Sequence, residues 1–214
     1  MTANEIPVTD RTRLRRARDR GTFDRATVNE ILDDGFVCHL GLAHEGRAWA
    51  MPMVYGRSGD SLFVHGAAAN WTLSTAGAGA DVCLTVTHID GLVLSRSVFH
   101  HSVNYRSVMV FGQAVTVDDA DEKQRGFDAI MDHVHPGRRA EVRALSASEI
   151  RATQLLRLDI DEASAKVRTG PPVEEPEDLA LRVWGGEIPM RVVAGAPIPD
   201  EHVHDGVAAP RWRG

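Results

Sequence analysis

A chain of 214 residues, 43% of them hydrophobic, can bury a core in one domain, or in one domain with extended ends. Its net charge of −6 and isoelectric point near 5.9 exclude a nucleic-acid binder whose affinity rests on a broad basic face. No apolar stretch reaches the roughly 20 residues needed to cross a bilayer, and acidic and arginine residues stand where a secretory leader would carry its apolar run. The protein is therefore expected to be soluble and cytoplasmic, with neither a membrane nor a nucleic acid as partner.

The first local feature is basic. Six arginines between Arg11 and Arg20 (RTRLRRARDR) mark a leading segment, residues 1–21, that lacks interleaved aromatics and reads as a solvated or interface-covering stretch. Asp24 then offers an N-cap to a helix through RATVNEILDD, with Val28, Ile31 and Leu32 on one face and Gly35 as its stop. Strands follow at 36–43 and 48–55, joined by the turn His44-Glu45-Gly46, and at 61–65 after Arg57-Ser58-Gly59-Asp60. The small-residue stretch GAAANWTLSTAGAGA holds a short helix that begins near Asn70 and ends at Gly77 and Gly79.

Residues 81–88 and 92–97 read as two strands joined by an Asp90-Gly91 turn, and 105–117 as the longest strand. A helix over residues 119–133 presents Phe127, Ile130 and Met131 to the core and stops at Pro136-Gly137. A short helix around 148–151 precedes a closing strand at 153–159. From Gly170 the chain turns proline- and acid-rich. The domain proper is placed at residues 22–195, and the tail, residues 196–214, is expected to be extended and to wrap over a partner subunit. Short, turn-linked strands without βαβ alternation predict a mainly β fold with peripheral helices, built as an antiparallel barrel. No GxGxxG or P-loop pattern occurs, so a nucleotide would not sit in a Rossmann crevice.

Cys38 and Cys83 lie in apolar strand-like runs and are expected to be buried free thiols. Ten histidines show neither HxxH nor HExxH spacing, and no metal-ion site is expected. The densest polar cluster is FHHSVNYRSVMVFG, residues 99–112, where Arg106 and Ser107 offer the guanidinium fork and the hydroxyl that a phosphate takes. On a regular strand these two side chains point to opposite faces. They meet at one phosphate only at a strand start or a bulge, and Arg106 could equally pair with a carboxylate. His65, just before GAAA, stands where small residues let a ligand come close. Trp71, Trp184 and Trp212 can stack on an aromatic ligand or serve as packing.

The chain resembles the pyridoxamine 5′-phosphate oxidase-like flavoproteins, the FMN-binding split barrels, and among them the nitroimidazole-resistance-related branch of flavin-nucleotide-binding proteins. The resemblance rests on RRARDRGTFDRATVNEILDDGFVCHLG, LFVHGAAA, DGLVLSRSVFHHSVNYRSVMVFG and SAKVRTGPPVEEPEDLALRVWGGEIPM, which span most of residues 13–195. It implies a six-stranded antiparallel split β-barrel that forms a homodimer with FMN bound between the subunits. It also implies that Asn104, Tyr105, Arg106 and Ser107 form the FMN-contacting strand start, and that Met51, Pro52, Thr85 and Val86 line the ring. By the same resemblance His65 lies beside the cofactor, where it would orient substrate or tune the flavin, and Arg168 and Trp184 close the cleft.

The implied activity is that of an FMN-dependent oxidoreductase, taking electrons from a reduced nicotinamide or a reductase and acting on a small molecule. Trp71 departs from the family pattern, which commonly has an arginine or lysine there. One lost charge-assisted phosphate contact costs about 1.5–3 kcal/mol. Three other readings stay open: the deazaflavin F420 in place of FMN, a non-catalytic flavin-binding or sensing protein, and a haem protein with His65, His100 or His101 as axial ligand.

Overall fold

The computed structural model describes residues 4–210. Nine strands form one sheet: β1 (Gly21–Thr22), β2 (Val37–His44), β3 (Arg47–Ser58), β4 (Ser61–Ala67), β5 (Ala78–Leu94), β6 (Ser102–Thr116), β7 (Thr153–Asp159), β8 (Glu162–Arg168) and β9 (Gly186–Pro189). All the pairings are antiparallel. The ring β2-β3-β4-β7-β6-β5 closes through the β5–β6 pairing, while β8 and then β1 extend from β6, and β9 extends from β5. This is the six-stranded split barrel that the resemblance implies. Trp212 lies outside the described residues.

The helices start where their capping chemistry places them. Asp24 accepts the Thr27 amide at 2.8 Å and opens α1 (Arg25–Asp34), and Asn70 accepts the Leu73 amide to open α2 (Trp71–Gly77). Asp119 caps α3 (Ala120–Val134), and Ser146 with Glu149 makes a capping box for α4 (Ala147–Ala152). Helix α1 buries Val28, Ile31 and Leu32 in the barrel core, where the buried Tyr55 hydroxyl donates to the Leu32 carbonyl. Helix α3 turns Gly126, Ile130 and His133 inward and leaves Met131 exposed, so Met131 is not part of its core face as its spacing suggested.

Asp90-Gly91 does not form a turn. Strand β5 runs straight through it, with a bulge between the pairs Ile89↔Tyr105 and Gly91↔Asn104. Strand β6 is long enough to pair with both halves of β5, so the extra residue is absorbed without reversing the chain. Gly91 instead admits a close neighbour, since a Cβ there would sit 3.0 Å from the Ile188 carbonyl oxygen on β9. The reversal falls later, at residues 95–101. The arginine-rich leading segment is also tied down: Ile6 belongs to the core, Thr12 is buried, and the Leu14 side chain occupies the space beside Gly21. From residue 191 to residue 210 there is no helix or strand.

Helix α3 meets the barrel backbone directly at Gly56, where a Cβ would lie 2.4 Å from the Ile130 Cα. Neither backbone can yield cheaply, so Gly56→Ala is expected to destabilise the fold by about 1–3 kcal/mol or more. Denaturant unfolding checks this; an unchanged midpoint would mean that α3 does not pack as described.

Candidate functional site

Alternation along the paired strands sorts the polar residues by face, because residues directly opposite one another in the ladder share a side. Met51, Leu40, Leu84, Val110 and Ala163 form one row across β3, β2, β5, β6 and β8 that faces the core. The neighbouring row, Pro52, His39, Thr85, Met109 and Ser164, faces outward. A third row, Thr87, Ser107 and Lys166, crosses β5, β6 and β8 on the same outer side. Around them Val37, Val54, Ile89 and Met109 are substantially exposed. The outer face thus mixes exposed apolar side chains with His39 and Thr85, and carries beside them a row of two hydroxyls and an ammonium.

The structure divides the expected site residues between these faces. Pro52, Thr85, Tyr105 and Ser107 lie on the outer parity, while the side chains of Met51 and Val86 point to the core and could offer a ligand only backbone. Arg106 and Ser107 are not brought together, since the ladder is regular at both. Arg106 closes instead on Asp90, with Nε and Nη2 both 3.0 Å from its carboxylate, and on Asp34 at the end of α1. The Asp90 hydrogen bonds, and then those of Asp34, push its pKa further up, so it is a permanent cation with two anions at hand.

Asn104 and Arg168 are both buried and bonded to each other. Arg168 also donates to the carbonyls of Gly170, at 3.0 Å, and Pro171, at 3.2 Å, and Asn104 donates to Glu187. Together they fasten the segment after β8 to the sheet edge. Trp184 is exposed and rests its ring against Gly186. Trp71 stands edge-on to Trp49 at 5.0 Å and to His44 at 5.1 Å, an aromatic group at the tip of the β2–β3 hairpin.

Lys166 is the residue that motif reading passed over. Its Nζ donates to the Arg16 carbonyl at 3.2 Å, and Gly21 pairs with it in the ladder, which brings the leading segment alongside. Among the described residues Lys166, Arg15, Arg16, Arg18 and Arg20 have no carboxylate partner, in contrast to Arg11 and Arg106. The signal for this was strand alternation, which puts Lys166 opposite Ser107.

Cys38 is buried and Cys83 half-buried on the outer row, and both are free. Burial pushes the Cys38 thiol up to about 12 and also raises that of Cys83, so neither thiol ionises readily. Among the described residues no three or more His, Cys, Asp or Glu side chains are grouped to hold a metal ion. No helix among them is long and apolar enough to cross a membrane. His65 packs edge-on against Phe127 at 5.8 Å, with a buried Nδ1 that has no hydrogen-bond partner.

These features define a split-barrel flavoprotein fold, and the comparisons agree. Residues 24–167 match the family described as Pyridoxamine 5'-phosphate oxidase, and the chain belongs to that family. It is similar to the flavocytochrome Anf3 from Azotobacter vinelandii, at 37% identity over 94% of each chain with a TM-score of 0.88. It is also similar to an FAD and haem binding protein from Mycobacterium smegmatis, at 34% identity over 89% of this chain and 94% of that one, TM-score 0.85. A putative 5-nitroimidazole antibiotic resistance protein from Bacteroides thetaiotaomicron VPI-5482 shares the fold, at 22% identity over 69% and 86% of the chains, TM-score 0.58. No curated protein gives a significant match.

Burial lowers the His65 pKa below its ordinary 6.5, so the folded state resists its protonation. The resulting stability is present above pH 6.5 and is lost as pH falls below it. The difference in melting temperature between wild type and His65→Gln is expected to shift against the wild type between pH 7.5 and pH 5.5, both chosen around His's ordinary value of about 6.5. A pH-independent difference would contradict a neutral, half-buried His65.

Proposed function

We propose that this protein is a homodimeric redox protein that binds a flavin on the outer face of the barrel and also carries haem. The observation that carries the flavin half is the outer face itself: the exposed Val37, Val54, Ile89 and Met109 around a row of hydroxyl, hydroxyl and ammonium. An isoalloxazine ring needs a flat, largely apolar surface, and its phosphate needs donors at one end. Thr87, Ser107 and Lys166 supply those donors, and the unpaired arginines of the leading segment add a positive field beside them. Pro52, Thr85 and Met109 lie under the ring in this reading, and a second copy covers the exposed face.

The flavin proposed is the dinucleotide FAD rather than FMN or F420. Support comes from the FAD-binding relative and from Trp71, which replaces the cation that the FMN-binding pattern has for its phosphate. A bound flavin would supply hydride or electron transfer, and the protein would supply orientation and exclusion of water. Haem rests on the two similar proteins that carry it and on the histidines available to hold it. The sequence has two cysteines far apart and no CxxCH, so attachment would be non-covalent. The raised thiols leave imidazole as the fitting ligand. Oxidoreductase activity towards a small molecule follows from this reading.

Flavin titrations test it. FAD is expected to bind more tightly than FMN, and Lys166→Ala to weaken FAD by one to two decades, the equivalent of about 1.5–3 kcal/mol for a charge-assisted contact. Arg106→Ala is expected to lower stability with little change in FAD affinity. The reverse pattern, affinity lost with Arg106 and kept without Lys166, would move the phosphate to Arg106.

A further inference from the structure

The reversal between β5 and β6, residues 95–101, presents an exposed imidazole held by one ring nitrogen. His101 Nδ1 lies 2.8 Å from the Ser97 carbonyl oxygen, and the Ser95 hydroxyl is 3.4 Å away. A carbonyl can only accept, so Nδ1 carries a proton, and in the neutral ring Nε2 is the nitrogen with the lone pair, on an exposed side chain. An N–H tied to a backbone carbonyl is the arrangement that orients a metal-ligating histidine and raises the basicity of its other nitrogen.

The loop that holds this ring is fixed rather than loose. Ser95 is buried and donates to the Ser97 carbonyl, and Arg96 is bonded to Glu174 through both its amide and its guanidinium. On the same loop Val98 and Phe99 are 92% and 89% exposed, two large apolar side chains one turn from the imidazole. Exposed apolar side chains beside an oriented ligand suit a flat apolar macrocycle around a metal. Haem iron takes four ligands from the macrocycle, so one or two side chains suffice.

Five other histidines of the barrel and its helices are less suited. His88 and His133 are tied to backbone carbonyls in the same way, but through Nε2, and their rings are half-buried and buried rather than exposed, while His100 faces Glu175 at 3.8 Å. The Nδ1 of His65 is enclosed. His39 is exposed, but no hydrogen bond among the described residues fixes its tautomer.

We infer that His101 is an axial ligand to haem iron through Nε2, with Val98 and Phe99 packed against the macrocycle. This rests on the haem half of the proposed function. The test is titration of haemin into the purified full chain, followed by absorption and electron paramagnetic resonance spectra, for wild type, His101→Ala and His39→Ala. Wild type and His39→Ala are expected to give a histidine-ligated spectrum. His101→Ala is expected to lose it, to bind haemin more than about tenfold more weakly, and to recover the spectrum with added imidazole.

A wild-type spectrum in His101→Ala overturns the assignment while leaving a haem protein. Failure of the wild type to take haemin overturns both the assignment and the haem half of the function. The flavin titration, run on the same samples, shows whether the flavin half stands.

Discussion

Strand β6 pairs with three neighbours, β5, β7 and β8, and everything functional in this fold depends on the alternation that these pairings lock in. A slip of one residue would exchange its two faces, sending Val108 and Val110 outward and Tyr105, Ser107 and Met109 into the core. Burying valines at those positions is what holds the register. The register in turn puts Ser107 on the outer face, where the flavin is proposed to lie, and Arg106 on the opposite parity.

Charge follows the same division. Arg106 sits between the end of α1 and the bulge of β5, where Asp34 and Asp90 leave it little field for an incoming phosphate. Lys166 lies on the outer face beside the leading segment, where Arg15, Arg16, Arg18 and Arg20, like Lys166 itself, form no ion pair among the described residues. A protein that is acidic overall can therefore hold a basic site, because exposed charges act over about 8–10 Å at physiological ionic strength and not over the whole surface. Folding of the leading segment onto β8, through Ile6, Thr12 and Leu14, creates that site.

Much of the architecture was legible because it rests on local rules. Asp24 was readable as a cap, Asn70 and Asp119 as helix starts, and strand 153–159 to the residue, whereas the Ser146 cap was missed and α4 opens one residue before the expected 148. Asp90-Gly91 misled, since the same dipeptide serves a turn or a bulge and only the length of the partner strand decides between them. Strands β8 and β9 were not anticipated; β9 is four residues of exposed edge with little hydrophobic signal of its own. The Arg106-Ser107 pair was found by residue type, but its carboxylate partners are 16 and 72 positions away in sequence. Lys166 became visible only when the ladder set it opposite Ser107.

A crystal structure of the FAD-loaded protein tests the central claim most directly. The account predicts flavin density along Pro52, Thr85 and Met109, with the phosphates against Ser107 and Lys166 and the Arg106 clamp to Asp34 and Asp90 intact. Phosphate density on Arg106, with Asp34 or Asp90 displaced, would contradict it.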